Sequence, residues 1–280
     1  MSARLHSIFE VFTIGAGPSS THSMGPQRAA QLFMDSLRTS PKRLRVTLFG
    51  SLAATGRGHW TDRILARTLE PVPVEVVFDT TTGHLPHPNT LKFEAFDAAG
   101  ALVKSWTVCS IGGGNLREAD GQPVASPDHP AKYPVANIAG AMDYCRVNGL
   151  AFWQLTEQAE QDLWSRLETV WSAMEDTIRH GLHSRQILLP GTLELARRAG
   201  TTWTRARRLK GTRRDLGLLS AFALAVAEEN AAGMQVVTAP SCGAAGVVPA
   251  VLYYFKTVRR TPSRKILEAL ATAGLFGASI

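Results

Sequence analysis

Three stretches of this 280-residue chain gather side chains able to do chemistry. The first, Gly15–Pro26, reads GAGPSSTHSMGP and crowds the hydroxyls of Ser19, Ser20, Thr21 and Ser23 around the imidazole of His22. One serine would be enough to cap a helix, so the excess of donors points to a bound carboxylate or phosphate. The second, Gly50–His59, reads GSLAATGRGH and supplies Ser51, Thr55 and His59. The third, Val236–Ala250, reads VVTAPSCGAAGVVPA and presents Cys242 at the tip of a tight loop. Gly243 and Gly246 let a backbone approach closely there, and the thiol either ligates a metal or packs as a small hydrophobe. Just upstream, Glu228, Glu229 and Asn230 close the apolar helix Leu216–Ala227. Polar groups in that position cost desolvation unless something binds them.

Strands and helices must hold these residues in place. Pro26 opens an amphipathic helix over Gln27–Leu37, so the hydroxyl loop is expected to feed a helix N-terminus and seat an anion. The pattern predicts strands at Leu44–Phe49, Val74–Phe78 and Leu91–Phe96. The last of these turns through Asp97–Gly100 into Leu102–Val108 as a hairpin. The strand–Gly/Ser–helix outline around Gly50 lacks the Gly-Lys-Ser/Thr ending of a phosphate loop, and Ser110–Asn115 (SIGGGN) fails the dinucleotide spacing. Thr61 and Asp62 are expected to cap a helix through Leu69. His84 and His87 are three apart, but Pro86 and Pro88 preclude a shared helix face, so loop contacts are expected there.

Gly121–Tyr133, rich in Pro, Asp and His, reads as a linker. Beyond it the pattern is helical. Ala136–Asn148 forms one helix. Leu155, Ala159, Leu163, Leu167, Val170, Met174 and Ile178 recur at helical spacing and predict one long helix over Phe152–Gly181. The expected architecture is an α+β N-terminal domain (sheet with helices) at residues 1–130, followed by an all-helical domain at 131–280.

Composition narrows the function classes. The chain carries a net charge of +7, and the run Arg197–Arg214 contains no acid. That run reads as a solvated loop between helices, since no nucleic-acid fold accompanies it and Trp203 is its only aromatic. Nucleic acid is therefore not an expected partner. No window holds about 18 uninterrupted apolar residues, so no membrane span is expected. The three cysteines (Cys109, Cys145 and Cys242) lie far apart, which suits a reducing, cytoplasmic setting. No Schiff-base lysine motif points to pyridoxal chemistry.

Taken in order, GAGPSSTHSMGP at 15–26, GSLAATGRGHWTD at 50–62, SIGGGN at 110–115, LLPGTL at 188–193 and EENAAGMQVVTAPSCGAAGVVPAVL at 228–252 resemble the iron–sulfur-dependent L-serine dehydratases (L-serine ammonia-lyases). The resemblance runs along nearly the whole chain. It implies an α+β domain joined to a helical catalytic domain, and deaminating dehydration of L-serine to pyruvate and ammonia. It also implies a [4Fe–4S] cluster held by three thiolates, with one iron left open as a Lewis acid. On that basis His22, His59, Ser20 and Ser51 are the expected catalytic groups, and Ser19, Thr21, Ser23, Thr55 and Asn230 the substrate-binding ones. Thr238 and Gly243 are expected beside the cofactor, with Cys242 as a metal ligand. Whether His22, His59 or a hydroxyl removes the Cα proton is left open by the residues.

The chain departs from the family at two points. The ligand cysteine familiar in that loop falls at the position of Ala245, which makes Cys242 a shifted equivalent. The other ligand cysteines belong to a segment beyond the helix Ile266–Ile280, where this chain stops. The expectation is that the isolated chain is inactive, free of cluster and poorly soluble, with the apolar helix Ile266–Ile280 exposed. A homo-oligomer, or a separate chain carrying the missing segment, would then complete it. The alternative is a truncated, inactive member or a serine-binding module. The loops at 19–23 and 51–59 are also expected to face the Cys242 turn across a substrate pocket.

Overall fold

The computed structural model describes residues 5–124, 133–191 and 193–279. Most of the expected linker therefore lies outside the described residues. The elements run α1 (Ile8–Val11), β1 (Ile14–Ala16), a π-helical turn (Ser20–Met24), α2 (Gly25–Asp35), β2 (Arg43–Phe49), α3 (Gly50–Thr55), a 3-10 turn (Gly56–His59) and α4 (Thr61–Leu69). They continue with β3 (Val74–Asp79), β4 (Thr90–Phe96), β5 (Leu102–Gly112), β6 (Asn115–Glu118), α5 (Ile138–Asn148), α6 (Phe152–Ala159) and α7 (Leu163–His183). The last are α8 (Ala199–Ala206), α9 (Gly211–Ala231), β7 (Gln235–Val237), α10 (Val247–Thr257) and α11 (Ser263–Gly277). Mixed sheet and helices thus come first and a helical region follows, as the sequence pattern predicts. No described helix is long and apolar enough to cross a membrane.

The described residues form two compact units, one from Gly15–Ser126 and the other from Met1–Ile14 with Pro127–Ile280. The first holds a five-stranded sheet in the order β3-β2-β4-β5-β6, in which only the β2–β3 pair is parallel. Period-two alternation buries Leu44, Val46 and Leu48 on one face of β2. Phe33 of α2, Phe93 of β4 and Trp106 of β5 stack at 5.2–6.5 Å between ring centroids. Phe33 and Phe93 are almost fully buried, which contributes about 2–3 kcal/mol each.

The second unit is helical. Its core gathers Leu155, Leu163, Leu167, Val170 and Met174 with Ile266, Leu270 and Leu275. The single long helix expected over Phe152–Gly181 is broken: α6 ends at Ala159, and α7 starts after Asp162, whose φ is +50°. The break frees Glu160, which is buried and accepts hydrogen bonds from Ser7 Oγ (2.9 Å), Ile8 N (2.8 Å) and Tyr133 OH (3.0 Å). Burial first, and then the Glu160 carboxylate, push the Tyr133 hydroxyl well above its usual range. These donors tie the N-terminal segment to the helical unit, and Ile8, Val11 and Phe12 complete its core.

The apolar helix expected to be exposed at the end of the chain is instead packed. Ile266, Leu267, Leu270 and Leu275 of α11 are buried, and Gly274 and Gly277 let α1 lie against it. A Cβ on either glycine would come within 2.8 Å of Ile8, Phe12 or Val11. The basic run Arg197–Arg214 is not a loop either, since it forms α8 and the start of α9.

Candidate functional site

The hydroxyl-rich segment is a wide helical turn rather than an open loop. Ser19 caps it, its Oγ accepting from His22 N (3.0 Å), while the Ser23 and Met24 amides donate to the Ser19 carbonyl. The turn runs directly into α2, so the amides expected to seat an anion at the start of α2 are already inside a helix. Two hydroxyls from elsewhere in the unit hold the turn by its carbonyls: Ser110 Oγ donates to Thr21 O (2.7 Å) and Thr61 Oγ1 to His22 O (2.6 Å). Thr61 is therefore a brace for His22 rather than the expected cap of α4, whose N-cap, Trp60, has a φ of +59°. Ser23 is fully buried, accepting from Ser19 N and donating to His59 O, so its hydroxyl positions the two segments.

The Gly50–His59 stretch is likewise helical, and it brings Ser51 and His59 to His22. His22 Nε2 lies 3.1 Å from Ser51 Oγ, and the His22 and His59 rings stack with centroids 4.6 Å apart. His59 Nδ1 is 3.0 Å from the Thr55 carbonyl. A carbonyl only accepts, so Nδ1 carries the hydrogen and the lone pair of neutral His59 sits on Nε2. Burial first, then the neighbouring His59 charge, lowers the His22 pKa, while Ser51 opposes the shift. Thr55 is exposed and its hydroxyl donates to Ser51 O. Ser20 and Thr21 are half-buried on the same turn as His22. The unit thus collects Ser19, Ser20, Thr21, His22, Ser51, Thr55 and His59 in one region, with hydroxyls beside two imidazoles.

In the helical unit the expected cofactor and metal residues have other surroundings. Thr238 is fully buried, its Oγ1 accepting from Thr13 N (2.8 Å) and donating to Val11 O. Gly243 is exposed in a turn, where an added Cβ would meet only Ser241 Oγ, at 3.8 Å. Cys242 is buried rather than presented at a loop tip, and burial pushes its thiol up to about 12. Asn230 sits half-buried in the last turn of α9.

Of the two carboxylates beside Asn230, Glu229 is held by protein groups through both oxygens, whereas Glu228 is held through Oε1 and its Oε2 is buried without a partner. Glu228 Oε1 accepts from the backbone N–H groups of Arg198 (2.6 Å) and Ala199 (3.0 Å), placing a negative charge at the start of α8. Glu229, 1% exposed, binds Arg197 Nη1 and His180 Nδ1, each at 2.5 Å. The sequence pattern places Arg197 in a solvated basic run and gives His180 no role. Two adjacent acids inside an otherwise apolar helix are the signal that partners are needed.

The serine dehydratase alpha chain family matches residues 51–280, and the serine dehydratase beta chain family matches residues 7–75. The chain belongs to the serine dehydratase family. The L-serine dehydratase of Streptomyces coelicolor is 34% identical over 97% of this chain and 70% of its own length. L-serine dehydratase 1 of Escherichia coli is 33% identical over 97% of this chain and 71% of its own length. The L-serine dehydratase of Haemophilus influenzae is 30% identical over 97% of this chain and 71% of its own length. This serine dehydratase family member is a lyase, and both family matches include Ser51 and His59.

An iron–sulfur cluster needs thiolates brought together, and the described residues do not fit one. Cys109, Cys145 and Cys242 are each buried as free thiols, and Ala245 has no donor atom. Burial raises the Cys145 pKa as well as that of Cys242, opposing the thiolate form that a cluster requires. Among the described residues no three His, Cys, Asp or Glu side chains are gathered as a metal site.

Proposed function

We propose that the chain dehydrates L-serine, releasing pyruvate and ammonia, and that His22, His59, Ser51 and Ser20 form its proton-handling group. The observation that supports this most directly is the stacked His22–His59 pair with Ser51 against His22 Nε2. Elimination requires that the Cα–H bond break, its electrons form the Cα=Cβ bond, and the β-hydroxyl leave with a proton as water. The aminoacrylate so formed tautomerises to an imine, which water hydrolyses to pyruvate and ammonia. Two imidazoles in contact suit the paired transfers: one removes the Cα proton and the other protonates the departing oxygen.

His22 favours its neutral form and is suited to accept a proton, with the Ser51 hydroxyl within reach to pass one on. Ser19, Ser20, Thr21 and Thr55 would supply hydroxyls for the substrate carboxylate and ammonium, while buried Ser23 fixes the geometry. Because the described cysteines do not fit the cluster that the family resemblance implies, no step is routed through it.

Ammonia and pyruvate release from L-serine tests the reading. His22→Ala or Ser20→Ala should each lower turnover by about 10²-fold or more. Wild-type kinetics in both variants would remove these residues from the reaction.

A further inference from the structure

The last turn of α7 carries His180 and His183, three residues apart and therefore neighbours on the helix surface. Both line a cavity of about 450 Å³, together with Ser184, Arg185 and Gln186. Each ring has its Nδ1 committed to an acceptor: His180 to the Glu229 carboxylate at 2.5 Å, His183 to the Arg179 carbonyl at 2.8 Å. Neither acceptor carries a hydrogen, so both Nδ1 atoms do, and in the neutral rings both Nε2 atoms hold lone pairs. His180 is 61% exposed although the carboxylate behind it is 1% exposed and held in turn by Arg197. A buried carboxylate that fixes the tautomer and orientation of an outward imidazole is the support that metal-binding histidines commonly have.

We propose that His180 and His183 form a site for a divalent transition-metal ion of the Zn²⁺, Cu²⁺ or Ni²⁺ class. The two Nε2 atoms bind the ion and water completes its coordination on the open side of the cavity. Imidazole nitrogen suits these ions, whereas Mg²⁺ and Ca²⁺ require oxygen ligands. Arg185 on the rim opposes any cation through its charge. Binding therefore depends on the metal–nitrogen bonds, which sharpens selectivity for the transition metals. The proposal uses none of the residues proposed to act on serine, and it stands whether or not they do.

Titration calorimetry of the full chain with Zn²⁺, in excess Mg²⁺, tests the site, with Cu²⁺ paramagnetic resonance as a second probe. One Zn²⁺ per chain should bind in a manner that His180→Ala and His183→Ala each weaken at least about tenfold. Glu229→Gln should weaken it by about 10–100-fold. The Cu²⁺ spectrum should show two coupled imidazole nitrogens in the parent and one in each histidine variant. The His183 ring is exposed and makes no bond to buried Glu229, so His183→Ala decides the matter even if His180→Ala or Glu229→Gln unfolds. Absence of stoichiometric Zn²⁺ binding, or binding unchanged in both histidine variants, overturns the proposal.

Discussion

The imidazoles of His22 and His59 stack with their ring centroids 4.6 Å apart and their planes 32° from parallel. Two positive charges at that separation repel by about 3–4 kcal/mol at an effective dielectric constant near 20. Burial adds to the cost of charging His22, whose pKa is lowered below its ordinary value of 6.5. The unfolded chain therefore binds this proton more readily than the folded one. The contribution of neutral His22 to stability is complete above about pH 6.5 and is lost as pH falls through the lower folded value. Urea unfolding followed from about pH 8 to pH 5 should show this loss, and His22→Gln should flatten the profile. An unchanged slope in the variant would assign the acid sensitivity to other groups.

Ser51 touches His22 through its side chain, whereas the Thr55 hydroxyl donates to the Ser51 carbonyl, and it is the Thr55 carbonyl that meets His59 Nδ1. Ser51→Ala should therefore lower turnover by about 10²-fold, the usual scale for an acid–base or positioning group. Thr55→Val removes a proposed substrate contact and not an acid–base group, so it should raise KM and change kcat far less. Steady-state ammonia release from L-serine, measured on both variants, separates the two hydroxyls.

Gly25 lies where the π-helical turn enters α2, and a Cβ there would stand 2.0 Å from Ser110 Oγ. Gly25→Ala must push Ser110 away from the Thr21 carbonyl that it holds. The expected loss is about 1–3 kcal/mol, the range for overpacking a filled interior. Adding Ser110→Gly should recover part of it. Thermal unfolding of the single and double variants checks the pairing.

Glu160 accepts from Ser7, Ile8 and Tyr133 in a buried setting. Glu160→Ala leaves those three donors without their acceptor, at an expected cost of about 3 kcal/mol or more. The effect should be concentrated at the N-terminus, because two of the donors lie there. Amide exchange over residues 5–14 should accelerate more than exchange in the sheet unit.

The Cys242 thiol is buried and its pKa is pushed up to about 12, and Cys109 and Cys145 are buried as well. At about pH 8 the native protein should react slowly with iodoacetamide at all three positions, and all three should react once it is denatured. A rapidly alkylated Cys242 in the native chain would show that its loop opens to solvent.

The sheet is legible in the sequence because its signals are local. The alternation in Leu44–Phe49 and the turn at Asp97–Gly100 lie within the strands they define, and both elements form as expected. The break at Glu160 is not legible, because Leu155, Ala159, Leu163 and Leu167 keep helical spacing across it. The buried carboxylate at the break is bound by Ser7, 153 residues away, a partner that no local spacing reports. The hydroxyls and imidazoles of the candidate site can be named from residue types. That Ser19–Met24 is helical depends on Thr61 and Ser110 holding its carbonyls, and no spacing within the segment reports them. Arg197 escapes a sequence reading for the same reason, since its buried partner Glu229 is 32 residues further on.

The seating of α1 in the groove at Gly274 and Gly277 has a consequence for synthesis on the ribosome. Residues 15–126 can assemble their sheet as soon as they emerge, from contiguous chain. Ile8 and Phe12 cannot complete their packing then, because α11 follows them far along the chain. At about 5–20 residues per second, Ile8 and Phe12 wait on the order of tens of seconds for α11. During that interval the face of α1 that meets Gly274 and Gly277 is uncovered while the sheet that follows it in the chain is already folded. A bulky fusion at the N-terminus, or a ribosome stall before Gly274, would prolong its exposure to chaperones and proteases.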